Sequence, residues 1–372
     1  MKKILFVFGT RPEAIKMAPL IKEFSLFPEL FQTVTCITGQ HRHMLDQVLA
    51  FFSITPDYDL SLMQPDQSLF DITSKGLKAL EAVLEDCAPS LVFVQGDTTT
   101  AFLGALGSYY KKIKVAHLEA GLRSGNRQSP FPEEGNRIMI GHLADFHFAP
   151  TPAAQKNLAQ ENILDNVFVV GNTVIDALHL GLSIIKHDEV MYQDFFKGLD
   201  FTKKIILVTG HRRESFGAPF ENICLAIKEI AKTFEEVEVV YPVHLNPNVQ
   251  GVVNRILSDL PNIHLLPPLE YPHLLWLMEK SYLVLTDSGG IQEEAPSLGK
   301  PVLVMRDVTE RTEGIEAGTA ALVGTNRQAI VQKVTELLQD QPVYQSMANA
   351  VNPYGDGTTS QQIVSLLQEI QL

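Results

Sequence analysis

Three segments of the chain carry carboxylates where an acid/base enzyme would need them. QGDTTTAF places Asp97 just after an apolar run, HLEAGLRS places Glu119 just after the next, and SPFPEEGNR sets Glu133 and Glu134 in a proline-stiffened loop that opens a helix. If the two runs are neighbouring parallel strands, Asp97 and Glu119 emerge near one cleft. Each acid alone could serve as a helix cap. Several converging on one sheet edge each incur a desolvation cost if buried, which points to proton transfer.

A second set of segments suits an anion. GTRPEAIK follows the first apolar run, so Gly9 makes a tight turn, Arg11 offers a planar fork and Lys16 falls one to two turns into the next helix. That arrangement fits a diphosphate as well as it fits a plain strand-to-helix turn. In LTDSGGIQEEAPSLGK, Ser288, Gly289 and Gly290 expose backbone N–H groups where a helix begins. Glu293 and Glu294 lie in its first turns, placed either to accept ribose hydroxyls or to favour the helix dipole. GHRRESFG adds His211, Arg212 and Arg213 in a strand-end loop, a better setting for a ligand contact than for a structural histidine. His41, His43, His142 and His147 lack partners at metal spacing, so no metal is expected. Neither G-x-G-x-x-G nor G-x-x-x-x-G-K-[ST] occurs, which removes the main support for a dehydrogenase or a kinase.

The elements that must position these residues alternate between short apolar runs and helical spacing, the pattern of parallel sheets covered by helices. Strands are expected at 3–8, 33–37, 91–95, 115–118, 146–148 and 168–170, with helices at 14–27, 44–52, 69–87 and 137–144. After a polar, helix-rich connector around 173–201 the series restarts, with strands at 205–208, 237–243, 263–266, 283–285, 302–304 and 321–323. With 372 residues, two α/β domains follow. The expected division is 1–171 for the carboxylate-bearing domain and 172–357 for the anion-binding one, with a last helix, 358–372, packing back on the first. In such sheets ligands bind beyond the carboxyl ends of the strands, where the polar segments sit.

Composition narrows the partners. The net charge of −13 argues against nucleic acid and anionic membranes, so any phosphate site must be local. Cys36, Cys87 and Cys224 are odd in number and sit among apolar neighbours, as buried thiols of a reducing cytoplasm do. The opening apolar run, Ile4 to Phe8, is too short for a signal core, and no run reaches the length of a membrane span.

The strings GTRPEAIKMAPL, TGQHR, MLDQVL, QGDTTT, HLEAGLRS, PEEGNR, GNTVIDAL, TGHRRESFG, YPVHLNPNV, TDSGGIQEEAPSLGKPVLVMRDVTER and NPYGDG, in this order over nearly the whole chain, resemble the non-hydrolysing bacterial UDP-N-acetylglucosamine 2-epimerases. The resemblance implies two facing Rossmann-like doubly wound domains of the B-type glycosyltransferase and glycogen-phosphorylase group, with an inter-domain cleft. It implies that Asp97, Glu119, Glu133 and His211 are catalytic. Arg11, Lys16, Arg212, Ser288, Gly289, Gly290, Glu294 and Arg311 would bind UDP, with Glu294 on the ribose. It also implies an isomerase without cofactor, which eliminates UDP to a 2-acetamidoglucal and re-adds it to interconvert UDP-N-acetylglucosamine and UDP-N-acetylmannosamine. A second UDP-N-acetylglucosamine as activator at Gln40, Gln67 and His244, and a cytoplasmic homodimer, belong to the same expectation. PPLEYPHLLW departs from the family where uracil would lie, with Leu269 and Leu274 in place of polar or aromatic side chains. The alternatives are a UDP-sugar glycosyltransferase of the same fold, which would not need three carboxylates, and a catalytically silent UDP-sugar sensor.

Overall fold

The computed structural model describes residues 1–39, 42–62 and 67–370, and for Arg42 and His43 the backbone alone. Contacts divide the chain into two units, Met1–Leu180 with Tyr354–Leu372, and Gly181–Pro353.

The strands of the first unit are β1 (Lys2–Phe8), β2 (Phe31–Ile37), β3 (Tyr58–Asp59), β4 (Leu91–Gln95), β5 (Lys114–Leu118), β6 (Phe146–Ala149) and β7 (Val167–Val169). They pair in parallel in the order β3-β2-β1-β4-β5-β6-β7. Residues Ile4 to Phe8 of β1 and Leu91 to Val94 of β4 are at most 1% exposed, so these strands read as unbroken apolar runs because both faces are covered. A row of rings crosses the sheet. Phe6 stacks on Phe93 with centroids 5.1 Å apart, and Phe93 on Phe148 at 6.0 Å, a reach allowed by the small Ala116 paired beside Phe93. Tyr58–Asp59, only two residues long, carries no apolar run that sequence reading could detect.

The second unit contains β8 (Lys204–Thr209), β9 (Val237–Pro242), β10 (Ile263–Leu266), β11 (Leu283–Thr286), β12 (Val302–Val304) and β13 (Ala320–Leu322). They form a parallel sheet in the order β10-β9-β8-β11-β12-β13. Its core joins Val208, Tyr241 and Leu285 of the strands to Phe220, Ile227 and Ile330 of the covering helices.

The strand order of each sheet reverses once, at β1/β4 and at β8/β11. The crossovers on the two sides of each reversal therefore run to opposite faces, and a crevice opens at the carboxyl ends of the two central strands. Both units are thus doubly wound, as expected. Two helices begin three or four residues earlier than the sequence suggested. The first spans Arg11–Phe24, because Pro12 fits the opening turn and Glu13 takes up the amides of Gly9 and Thr10. The fifth spans Glu133–Leu143 rather than starting at Arg137, since Glu133 and Glu134 favour its first turn and outweigh Gly135.

The last helix, Thr359–Glu369, belongs to the first unit. Asp176 Oδ1 accepts from the Ser360 amide at 2.6 Å, and the Lys2 ammonium donates to the carbonyls of Leu367 (3.1 Å) and Ile370 (2.6 Å). A cation on the terminal carbonyls answers the helix dipole. The three cysteines are buried and unbridged, and burial pushes the thiols of Cys36 and Cys224 up to about 12. Among the described residues no helix is long and apolar enough to cross a membrane.

Candidate active site

In the first unit the polar residues gather at the β1/β4 reversal and the neighbouring end of β5. Glu119 directly follows β5 with φ +61°, a left-handed conformation that a residue with a Cβ adopts at a cost of roughly 1–3 kcal/mol and that clusters at functional sites. Its carboxylate is almost fully enclosed, with a side-chain exposure of 7%. Lys16 Nζ donates to Oε1 at 2.6 Å, Asn172 Nδ2 donates to the same oxygen at 3.3 Å, and the Gln95 amide donates to Oε2. Three residues from separate parts of the unit thus hold one strained glutamate.

Asp97 stands two residues beyond β4, after Gly96 at φ +66°. Its Oδ2 meets Arg137 at 2.6 Å, and its backbone carbonyl accepts from Asn136 Nδ2 at 2.8 Å. Arg137 also holds Glu134, whose carboxylate takes the amides of Ser124 and Gly125. Burial would raise the Glu134 carboxyl, but those amides and Arg137 outweigh it, so it lies below its ordinary value. Glu134 is therefore an anchor for the loop. Its neighbour Glu133 has a buried Oε2 with no hydrogen-bond partner among the described residues.

Behind these groups lie residues that the sequence reading passed over. Glu13, fully buried, accepts from the amides of Gly9 (3.0 Å) and Thr10 (2.7 Å) and from the Thr98 hydroxyl (2.6 Å). It ties the Arg11 turn to the Asp97 turn, and its burial raises its pKa despite these donors. His117 shares a hydrogen bond of 2.7 Å between Nε2 and the Gly96 carbonyl, and burial pushes it down to about 3, so the ring is a neutral support for the Asp97 loop. Gln95 and Asn172 stood in the quoted strings QGDTTT and GNTVIDAL; only the fold shows both reaching Glu119. Arg11, expected on the anion, is the first residue of its helix and half-buried.

In the second unit the β8/β11 reversal brings the HRR loop beside the TDSGG turn. The hydroxyls of Thr209 and Thr286 meet at 2.6 Å, and Tyr241 donates to the Gly210 carbonyl at 2.6 Å. Asp287 Oδ2 accepts from the amides of His211 (2.6 Å) and Arg212 (2.8 Å). The His211 ring stacks on His244 with centroids 5.0 Å apart and planes 8° from parallel. Burial and the neighbouring His211 lower the His244 pKa against the pull of Asp287.

Ser288 precedes the helix Gly289–Glu294, and its amide donates to Thr286 Oγ1 at 2.9 Å. The Arg311 guanidinium packs over Gly289, where a Cβ would lie 3.2 Å from it, and pairs with Glu293 at 2.9 Å. A Cβ at Gly290 would meet nothing within 4 Å, so the backbone there is open to an approaching group. Of the two helix glutamates, Glu293 is the Arg311 partner and Glu294 is buried beside it in sequence. Arg306 braces the loop from behind, bonding Glu214 at 2.6 Å and Glu310 at 3.0 Å. Although burial opposes it, Arg306 draws the Glu310 carboxyl down to about 2.

Of the residues expected at a second effector site, Gln67 donates to the Leu62 carbonyl at 2.8 Å and His244 is the stacking partner of His211. Gln40 lies outside the described residues. Among those described, no three His, Cys, Asp or Glu side chains are placed to hold a metal ion.

A sequence model of the family described as UDP-N-acetylglucosamine 2-epimerase matches residues 28–368. The chain belongs to that family. The UDP-N-acetylglucosamine 2-epimerase of Escherichia coli (strain K12) is 53% identical over 375 residues, 98% of each chain. The crystal structure of UDP-GlcNAc 2-epimerase from Neisseria meningitidis bound to UDP-GlcNAc is 49% identical and superposes with a TM-score of 0.92, covering 99% of this chain and all of that one. Sucrose-phosphate synthase from Thermosynechococcus elongatus, at 12% identity and a TM-score of 0.65 over 99% of both chains, shares the fold alone. As a member of an epimerase family the chain is an isomerase.

Proposed function

We propose that the chain interconverts UDP-N-acetylglucosamine and UDP-N-acetylmannosamine at C2, eliminating UDP to a 2-acetamidoglucal and adding it back with the proton on the other face. Family membership supports the substrate, since the related Neisseria enzyme was solved with UDP-GlcNAc bound. The observation that carries the chemistry is Glu119, a strained glutamate held by Lys16, Gln95 and Asn172 at the sheet edge that also bears Asp97.

The C2 proton of an N-acetylhexosamine has no adjacent carbonyl, so direct deprotonation faces a high barrier. Breaking the anomeric C–O bond in the same event makes that proton removable. Protonation on two faces needs at least two acid/base groups, and Asp97, Glu119 and Glu133 supply three. In this reading Lys16 orients Glu119, Arg137 orients Asp97, and the Glu133 oxygen, which no described residue bonds, is available to a proton. UDP leaves as an anion, which Arg11, Arg212, Arg311 and the backbone at Ser288, Gly289 and Gly290 bind more tightly as charge develops, with His211 beside it and Glu294 on the ribose. Activation by a second UDP-N-acetylglucosamine through Gln40, Gln67 and His244, in a cytoplasmic homodimer, completes the proposal.

Incubation with UDP-N-acetylglucosamine in heavy water, followed by proton NMR, tests it. The manno epimer forms without added cofactor or acceptor, and deuterium enters at C2. Conversion without solvent deuterium overturns the elimination route, and no conversion overturns the substrate assignment.

A further inference from the structure

Around the β8/β11 reversal, one buried ionisable group has no part in the reaction described above. Asp287 follows β11 and is 3% exposed. One oxygen is committed to the backbone, since Oδ2 takes the amides of both His211 and Arg212. The other, Oδ1, is buried with no hydrogen-bond partner among the described residues and lies 3.6 Å from Nδ1 of His211. The His211 ring, 44% exposed at its side chain, is limited in rotation by the flat stack with His244. The carboxylate is fixed to the loop that carries the imidazole by the two backbone hydrogen bonds it accepts from that loop.

A buried carboxylate oxygen without a donor is costly, and a proton on Nδ1 of His211 is a donor within short reach. The separation of 3.6 Å is longer than a hydrogen bond, as ligand-free catalytic contacts often are. A small rotation of the ring closes it.

We propose that Asp287 is a positioning residue for His211: it keeps the imidazole proton on Nδ1, so that Nε2 is the nitrogen whose proton changes beside the diphosphate. The inference rests on the reading of His211 as a substrate contact. When Nε2 accepts a proton the ring becomes an imidazolium flanked by the Asp287 carboxylate, which stabilises it. When Nε2 returns the proton, Nδ1–H remains.

Asp287→Asn in the full chain separates this from a merely structural role. The asparagine oxygen still accepts the amides of His211 and Arg212, but its NH2 faces Nδ1 and demands an unprotonated nitrogen there. Nitrogen-15 NMR of the imidazoles, with the His211 signals identified by their loss in His211→Asn, reads the tautomer without substrate. The parental ring is expected as Nδ1–H and the variant ring as Nε2–H. With UDP-N-acetylglucosamine, kcat falls by ~100-fold or more while KM and the UDP dissociation constant stay within about threefold. An Nε2–H tautomer in the parent overturns the proposal, whether or not the variant folds. So does parental kcat in a variant whose tautomer has inverted. If His211→Asn turns over at the parental rate, the substrate-contact reading fails instead, and the tautomer measurement still decides the pairing with Asp287.

Discussion

His117 and His147 sit side by side on β5 and β6, each at most 2% exposed. Burial pushes His117 down to about 3 and His147 down to about 4, so both fold as neutral rings. In the unfolded chain each recovers an ordinary value near 6.5. Below that pH the unfolded state binds more protons, so stability falls as pH drops and the loss continues until the folded values are reached. At pH 5 each ring has crossed about 1.5 pH units of that window, which is about 2 kcal/mol apiece and about 4 kcal/mol together. Glu13 and Asp176, whose pKa values are raised by burial, act in the opposite sense as pH falls, so a difference between two proteins is the clean quantity. His117→Gln retains a donor for the Gly96 carbonyl and removes one titration. The sole tryptophan, Trp276, belongs to the second unit and is no reporter for these strands. Amide hydrogen exchange of β4, β5 and β6, corrected for intrinsic rates, reads them directly. Between pH 8 and pH 5 the opening free energy is expected to fall by about 2 kcal/mol less in His117→Gln than in the parent. Equal losses in the two proteins would refute the assignment of His117 as a ring that must unfold to take a proton.

Three further outcomes follow from the site. Lys16→Met strands the Glu119 carboxylate without its cation, and loss of one partner from so enclosed a pair is expected to destabilise the first unit by about 3 kcal/mol or more; unchanged protection of β5 amides would contradict it. Asp97→Asn, Glu119→Gln and Glu133→Gln are each expected to lower turnover by ~100-fold or more while calorimetry finds UDP affinity nearly unchanged, and near-parental turnover in all three would remove the acid/base assignment. Gly290→Ala adds a methyl where nothing lies within 4 Å, so the fold should tolerate it. UDP affinity should nonetheless drop by ~10-fold or more, because the methyl occupies space the phosphate needs; parental affinity would show that the anion binds elsewhere.

Much of this protein was legible in its residues alone. Apolar runs such as Leu91 to Gln95 and Leu283 to Thr286 declare buried parallel strands because both faces of such a sheet are covered. The polar strings after them follow from the rule that ligands meet the carboxyl ends of strands, and family resemblance assigned them an expected reaction. Periodicity could not determine which loops become neighbours. That depends on strand order, and the reversals at β1/β4 and β8/β11 are set by packing of residues far apart in the chain. Only the tertiary structure could therefore join Asn172 to Glu119 across 53 positions, or Asp287 to His211 across 76. The left-handed backbone of Glu119 was equally hidden, because glutamate has no local preference for it. It persists where Lys16, Gln95 and Asn172 hold the side chain from three other parts of the fold.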